Sequence, residues 1–171
     1  WRARFDIDAI ADGKMRLLPL VHANVAAQAG DDVLLGRLKG IRKYWWLRNQ
    51  LFADGAAKAL RTLAEANIPT ILLKGAAMVA GWYRDAALRP MNDVDVLVPT
   101  GDAVRAIRAL VAAGWAPIGG SADALCEFHI HRLHAWNFVT ARGHALDLHW
   151  HALSQMQQNG GILADRIEQH R

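Results

Sequence analysis

The sequence has few of the features that mark proteins outside the ordinary globular class. It contains one cysteine, Cys126, which excludes an internal disulfide framework and a zinc cluster built from cysteines of this chain. It has no uncharged apolar run of about 18 residues, so a membrane-spanning helix is not expected. Internal repeats and low-complexity linkers are also missing. We therefore expect a cytoplasmic protein, although a chain that begins at Trp1 rather than Met is compatible with a removed targeting segment.

The composition that remains is that of a globular domain. Apolar residues make up 53% of the 171 residues and charged residues 21%, which argues against disorder and allows one core of ordinary size. The formal net charge of +4 suits an anionic ligand without demonstrating one.

A basic and aromatic stretch carries much of the positive charge. Its residues are Arg37, Lys39, Arg42, Lys43, Tyr44, Trp45, Trp46 and Arg48. We favour an amphipathic helix with a solvated basic face, because helices commonly show this pattern. The alternative is a nucleic-acid-binding surface over residues 37–48, with rings that stack on bases and cations that contact phosphates.

The first third of the chain is predicted to be helical. Residues 6–29 are rich in Ala, Leu and Ile, and Pro19 either breaks this helix or opens a second one. Asp31 and Asp32 are candidate caps for a long helix whose apolar residues recur at helical spacing as far as Leu63. Residues 67–69 end it.

From Thr70 onward the pattern alternates between strand and helix. Strands are predicted over residues 70–73 and 93–98, and a hairpin over 135–140 and 144–151. Helices are predicted over 76–83, from a Thr100 cap to Gly114, and in the last stretch of the chain, which includes Gly160 and Gly161. The fold class is therefore α/β (α+β), a small mixed sheet flanked by helices and preceded by a helical segment.

Asp93 and Asp95 are the most informative pair of side chains. Two residues apart on a strand, they project from one face with Cα atoms about 7 Å apart. Carboxylate oxygens suit Mg²⁺, and two such ions can activate an attacking oxygen and stabilise a leaving pyrophosphate. Solvent-facing charges on an edge strand are the alternative. The apolar flanks favour a central strand, where uncompensated carboxylates are costly and a cation would relieve them.

Asp147 is the candidate third carboxylate, because it lies between two leucines on another predicted strand. His149, on the same strand face, either contacts a phosphate or metal-bound carboxylate or plays a structural role, which is the commoner case. Three further histidines have spacing that resembles a metal site, but a surface or packing role is preferred for them. They are His129, His131 and His134.

A phosphate-facing turn is predicted where the first strand meets its helix. Backbone N–H groups at Gly75, Ala76 and Ala77 would point at an anion, with Lys74 and Arg89 adding positive charge. The alternative is that Gly75 merely permits the turn and that Arg89 pairs with Asp85 or Asp93.

Three motifs in this order resemble a known family. They are LLKG at residues 72–75, LRPMNDVDVLV at 88–98 and LDLHW at 146–150. Together they resemble the uncharacterised bacterial nucleotidyltransferases of the DNA polymerase β-like superfamily, over roughly half of the chain. The resemblance implies Asp93, Asp95 and Asp147 as metal ligands and catalytic residues, and a phosphate-facing turn around Gly75. Where the superfamily usually has a serine beside this glycine, the chain has Ala76, so one hydroxyl contact is absent.

The function implied is transfer of a nucleoside monophosphate from ATP or another NTP to an unidentified acceptor, with Mg²⁺ or Mn²⁺ and release of pyrophosphate. Asp147 or a metal-bound hydroxide is the expected base. Relatives modify small molecules, RNA or proteins, so the acceptor stays open, as does the oligomeric state. Lys74, Gly75, Ala76, Arg89 and His149 are the expected nucleotide-binding residues.

We expect a helical segment over 1–67, a catalytic core over 68–155 and a C-terminal helix over 156–171 that continues in relatives. Two other functions remain open at this point. One is a non-catalytic nucleotide- or protein-binding module that keeps the fold, and the other is nucleic-acid binding through residues 37–48.

Overall fold

The computed structural model describes residues 7, 9–10, 12–27 and 32–152. Asp31 and the expected helix over residues 156–171 lie outside the described residues. The N-terminal part is helical, as predicted, and Pro19 lies in the first turn of the second helix rather than breaking one. The helices are α1 (Asp12–Met15), α2 (Leu18–Val25) and α3 (Val33–Glu65).

Helix α3 is the longest element, with 33 residues. Its N-terminus is capped by the Asp32 side chain, which accepts a hydrogen bond from the Leu34 N–H at 2.9 Å and so satisfies one of the free amides of the first turn. The three glycines within it do not interrupt it. After Glu65 the chain turns through Asn67, whose φ of 54° is left-handed, and Ile68 enters the core.

The sheet has five strands in the order β1-β2-β5-β4-β3. Only the β2 and β5 pair is parallel, so the sheet is mixed. Strand β2 is flanked on both sides, which confirms that the strand carrying Asp95 is internal. The strands are β1 (Ile71–Leu72), β2 (Val94–Leu97), β3 (Ala116–Pro117), β4 (Ala135–Val139) and β5 (Ala145–His149).

Short helical segments connect the strands. They are α4 (Lys74–Gly81), α5 (Ala103–Ala112), α6 (Ala122–Ala124), 3₁₀ turns at Ala86–Leu88 and Thr100–Asp102, and a π turn at Leu125–His129. Helix α5 ends at Ala112, and Gly114, with φ of 90°, turns the chain after it, as predicted. Thr100 as a cap is wrong, because its hydroxyl donates instead to the Trp150 carbonyl at 2.8 Å. Strand β3 and the segment over 122–129 were not predicted.

One face of the sheet forms the main core with α5 and the second half of α3. The buried stripe of α3 there includes Phe52 and Leu63, and it meets Val96 and Leu148 of the two central strands. A smaller cluster of Ile7, Leu18 and Leu38 joins α2 to the first half of α3. The fold is thus the expected mixed α+β core, consistent with a nucleotidyltransferase, while the domain boundaries stay predictions.

No helix in the described part of the chain has both the length and the apolar character needed to cross a bilayer.

Candidate functional site

The two central strands bring two acidic side chains side by side. In the parallel β2 and β5 pair, Asp95 is the register partner of Asp147. Neighbouring strands are about 4.8 Å apart, so residues in register on one face lie close together. Val94 and Val96 point into the core, so alternation turns both aspartates to the opposite face of the sheet. That face carries the candidate site.

Asp95 is the buried centre of the site. Its side chain is only 6% exposed, and its Oδ1 atom contacts two cationic or potentially cationic groups, the amine of Lys74 and Nε2 of His149. A buried carboxylate without such partners would be costly, so these contacts explain how the strand tolerates it. Asp95 therefore lies buried against one cationic and one potentially cationic group.

His149 joins the two carboxylates. Its Nε2 lies 3.1 Å from Asp95 Oδ1 and 3.1 Å from Asp147 Oδ2. Burial favours the neutral ring, but the hydrogen bond and charge of Asp147 and the hydrogen bond to Asp95 outweigh it, so the pKa of His149 is raised. Its Nδ1 is buried and has no hydrogen-bond partner among the described residues. The imidazole therefore lies between the two acids, which favour its protonated, positively charged form.

Lys74 reaches Asp95 from the turn after β1. Its backbone φ of 46° is left-handed, which is uncommon for a residue with a side chain. Burial would lower the pKa of the amine, but the hydrogen bond to Asp95 and the charges of the three aspartates outweigh it and raise the pKa. More than half of the Lys74 side chain is exposed, so it combines contact with the buried acid and access to solvent.

Asp93 does not join Asp95 and Asp147 as closely as the sequence predicted. Strand β2 begins at Val94, so Asp93 lies just before the extended segment and is exposed. Its carboxylate is outside the group of ligand atoms that approach within 4.8 Å of one another. Reduced solvation of the carboxyl, and then the charges of Asp95 and Asp147, raise the pKa of Asp93. The three acids thus share one electrostatic environment, but only Asp95 and Asp147 meet.

The turn after Lys74 is tight at Gly75. A Cβ added to Gly75 would lie 3.1 Å from Met91 Cγ and 3.2 Å from its sulfur, so close packing, not a positive φ, accounts for the glycine. Gly75 and Ala76 are buried in the first turn of α4. The Ala77 amide donates to the Leu73 carbonyl at 3.3 Å, so the expectation that it faces an anion is wrong.

Arg89 lies beside the same turn, with Cζ 3.8 Å from the Cβ position of Gly75. Its guanidinium donates to the Pro90 carbonyl at 3.1 Å. Asp85, one of its two suggested partners, is engaged by Arg42 instead, with Nε to Oδ2 at 2.9 Å. Arg89 thus stays next to Gly75, where positive charge was predicted.

Asn49 was missed by the sequence analysis. It is 1% exposed, its amide donates to the carbonyls of Ala86 at 2.6 Å and Arg89 at 2.9 Å, and its oxygen accepts from the Met91 N–H at 3.2 Å. These bonds fix the loop that leads to the aspartates. Its position on the apolar stripe of α3, four residues after Trp45, is a signal that could have found it, because buried polar side chains are hydrogen-bonded.

The basic stretch lies on the amphipathic helix α3, as predicted, with Lys39 and Lys43 exposed, but not all of its cations are solvated. Arg42 binds Asp85. The Arg48 guanidinium lies over three rings at 5.3 to 5.9 Å, those of Tyr44, Trp45 and Phe52. Part of the positive charge is therefore used to join α3 to its surroundings.

The other histidines take up mixed positions. His129 stacks on Trp136 with ring centroids 5.8 Å apart, as expected for a packing role. His134 lies 5.8 Å from the His149 ring, next to the site. His131 is exposed.

The arrangement can hold a divalent cation. One ligand atom from each of Asp95, Asp147 and His149 lies within 4.8 Å of the others. The two facing carboxylates and Nε2 of His149, which contacts both of them, fit such an ion, and a ligand set rich in oxygen suits Mg²⁺ or Mn²⁺.

Comparison with known proteins agrees with this geometry. No curated protein and no solved structure matches the chain. A family model described as "uncharacterised nucleotidyltransferase" matches residues 12–171, which include both helical and sheet parts. The chain therefore belongs to this family of uncharacterised nucleotidyltransferases.

Proposed function

We propose that the protein is a metal-dependent nucleotidyltransferase that moves a nucleoside monophosphate from an NTP to an acceptor hydroxyl. The observation that carries this proposal is the pairing of Asp95 with Asp147 in register on the two central strands, with Lys74 and His149 as the cationic partners. Buried acids are costly unless they bind something positive, so a site built this way favours cations.

Asp95 and Asp147 would hold the metal, and Asp93 would join them as the third carboxylate. When bound, the divalent ion would supply positive charge against the phosphates of the substrate. The link of Asp93 to the pair is electrostatic, since both neighbouring acids raise its pKa after desolvation does. A cation near the pair would relieve that repulsion.

The triphosphate would lie at the turn between β1 and α4. Lys74 and Arg89 place positive charge there, and the amides of Gly75 and Ala76 belong to the first turn of α4, where N–H groups have no partner within the helix. His149, which is buried, would orient the two carboxylates through its contacts with Asp95 and Asp147. These residues position the α-phosphate next to the acidic pair.

In the transfer step the acceptor oxygen forms a bond to the α-phosphorus while the bond from that phosphorus to the bridging oxygen breaks. Pyrophosphate leaves with the electron pair, and the hydroxyl proton passes to the Asp147 carboxylate. Positioning and charge stabilisation would supply most of the rate acceleration, as in other phosphoryl chemistry.

A first experiment tests metal binding. Calorimetric titration with Mn²⁺ and Mg²⁺, alone and with ATP, CTP, GTP or UTP, should give binding that Asp95→Asn abolishes. Asp54→Asn, an exposed carboxylate of α3 paired with Lys58, is the matched control and should bind as the unmodified chain does. Equal binding by Asp95→Asn would contradict the proposed metal site.

A second experiment tests turnover and the place of Asp93. Pyrophosphate release and the mass shift of candidate acceptors should fall by about 10²-fold or more in Asp93→Asn and in Asp95→Asn, because each removes a carboxylate that would hold the metal ion against the reacting phosphates. Full activity in Asp93→Asn, with activity lost in Asp95→Asn, would mean that Asp93 is not a catalytic residue. Nucleotide binding without pyrophosphate release would indicate a binding module.

A further inference from the structure

A cavity of about 930 Å³ adjoins the candidate site on the Asp93 side. It is lined by residues of α1 and its surroundings, by the first half of α3, and by Asn92, the residue before Asp93. Small-molecule sites commonly enclose about 300 to 1,000 Å³, so the cavity is large enough for a ligand of that class.

The lining combines positive charge with aromatic rings. Arg16, Arg37 and Arg48 contribute guanidinium groups, and Tyr44 and Trp45 contribute rings, while the described lining contains no acidic side chain. Arg48 donates to the Tyr44 hydroxyl at 3.0 Å and lies over the Trp45 ring, so its guanidinium is held in place before any ligand binds. This chemistry suits an anion attached to a flat ring.

Two donors at the cavity have no acceptor. Nε of Arg16 and Nε1 of Trp45 are buried and have no hydrogen-bond partner within the described ranges, and Trp45 as a whole is only 7% exposed. Buried donors without a partner are rare in folded proteins, and each needs an explanation. Both belong to residues that line the cavity, so unused hydrogen-bonding capacity lies next to it.

The cavity is separate from the phosphate-facing turn. Lys74, Gly75 and Arg89 do not line it, and its contact with the site is through Asn92. Because Asn92 directly precedes Asp93 in the chain, the cavity lies beside the first acid of the site. The cavity therefore reaches the acids from a different side than the expected triphosphate.

We propose that this cavity is the acceptor site, and that it takes a small molecule with an anionic group and an aromatic ring whose hydroxyl faces Asp93. The inference rests on the proposed function for its chemistry, since this hydroxyl would be the oxygen that forms the bond to the α-phosphorus as pyrophosphate leaves. Binding at the cavity can be tested without turnover.

Two glycines of α3 allow a matched test. Gly40 lines the cavity and Gly36, one turn earlier, does not. A Cβ at either position would meet nothing within 4 Å, so a larger side chain fits both without a clash at its base. Gly40→Leu should fill the cavity, and Gly36→Leu should leave it open, while both keep the fold.

The probe is phenyl phosphate, measured by calorimetric titration, with inorganic phosphate as the control for charge alone. The unmodified chain and Gly36→Leu should bind phenyl phosphate equally and better than inorganic phosphate. Gly40→Leu should bind it at least about tenfold more weakly. Arg16→Gln should also weaken binding, whereas Lys14→Gln, an exposed neighbour outside the lining, should not.

Three results would overturn the inference. Unchanged binding in Gly40→Leu would do so, as would equal losses in the Gly36 and Gly40 variants. Loss of Mg²⁺ and ATP binding in Gly40→Leu would assign the cavity to the nucleotide instead. Failure of the proposed function has a different signature, because metal and ATP binding would then be insensitive to Asp95→Asn whether or not phenyl phosphate binds.

Discussion

The two halves of helix α3 belong to one continuous helix but meet different surroundings. The first half, as far as Arg48, packs against α2 on one side and borders the cavity and solvent on the others, and its glycines Gly36 and Gly40 face open space. The second half, from Asn49, packs against the loop before β2 and against the sheet, and a Cβ at Gly55 would lie 2.8 Å from His144 Cβ.

The difference shows that the effect of a residue on stability depends on the atoms that its side-chain position faces. Glycine weakens a helix wherever it occurs, so the sequence predicts the same effect at all three positions. The structure separates them, because only Gly55 permits a close approach of helix and sheet. Polar side chains of the two halves differ in the same way, since Asn49 in the second half is buried and Tyr44 in the first half is exposed.

Asn49→Ala should have the largest effect on stability in α3. It leaves the Met91 amide and the Arg89 carbonyl without the Asn49 side chain, while the Ala86 carbonyl keeps only its bond from the Arg89 N–H, so the free energy of unfolding should fall by about 3 kcal/mol. Urea unfolding measures this. Gln50→Ala, the exposed neighbour, is the control and should change little. A loss for Asn49→Ala as small as that of the control would mean that the loop does not depend on α3.

Gly55→Ala should have the second largest effect on stability. It should lower the free energy of unfolding, whereas replacing glycine by alanine in a helix usually raises it. The new methyl group would lie 2.8 and 2.9 Å from His144 Cβ and Cγ, and relieving that overlap should cost about 2 kcal/mol even after the gain in helix propensity. A rise in stability would show that helix and sheet can separate easily here, and the contrast between the two halves would disappear.

Gly36→Ala and Gly40→Ala should each stabilise the protein by about 0.5 to 1 kcal/mol, since the methyl group meets nothing and alanine restricts the unfolded chain. Thermal unfolding of the two variants beside Gly55→Ala sharpens the comparison within one helix. Destabilisation by either would indicate that its surroundings are more crowded than the open space found here.

The placement of Asp95 beside Asp147 could be predicted from the sequence for a physical reason. A strand whose alternate residues are all valine is covered on one face and flanked by neighbours, and this puts Asp95 beside another strand. Asp147 followed from the same alternation between leucines. Asp93 did not meet them, because alternation holds only while the chain is extended, and β2 begins one residue later.

The rest of the site depends on contacts between distant segments, and these have no local pattern. The left-handed Lys74 is one case, because nothing in its neighbours requires a positive φ. The bridging position of His149 is another, since it needs β2 and β5 in register. Residues 42 and 85 are 43 positions apart, so their ion pair was equally hidden.

Arg42→Gln should have the smallest effect, because the pair with Asp85 is partly exposed and such pairs contribute little. The side chains are 37% and 24% exposed, and Asp85 keeps its bond from the Ala87 amide when Arg42 is removed. We expect a loss of about 0.5 kcal/mol that shrinks as salt is added, because ions screen exposed charges. Lys43→Gln, the exposed neighbour on α3, is the control. A larger loss that persists in 1 M salt, where the screening length is about 3 Å, would mean that the pair is a structural anchor like Asn49, and that the first half of α3 is also held from within.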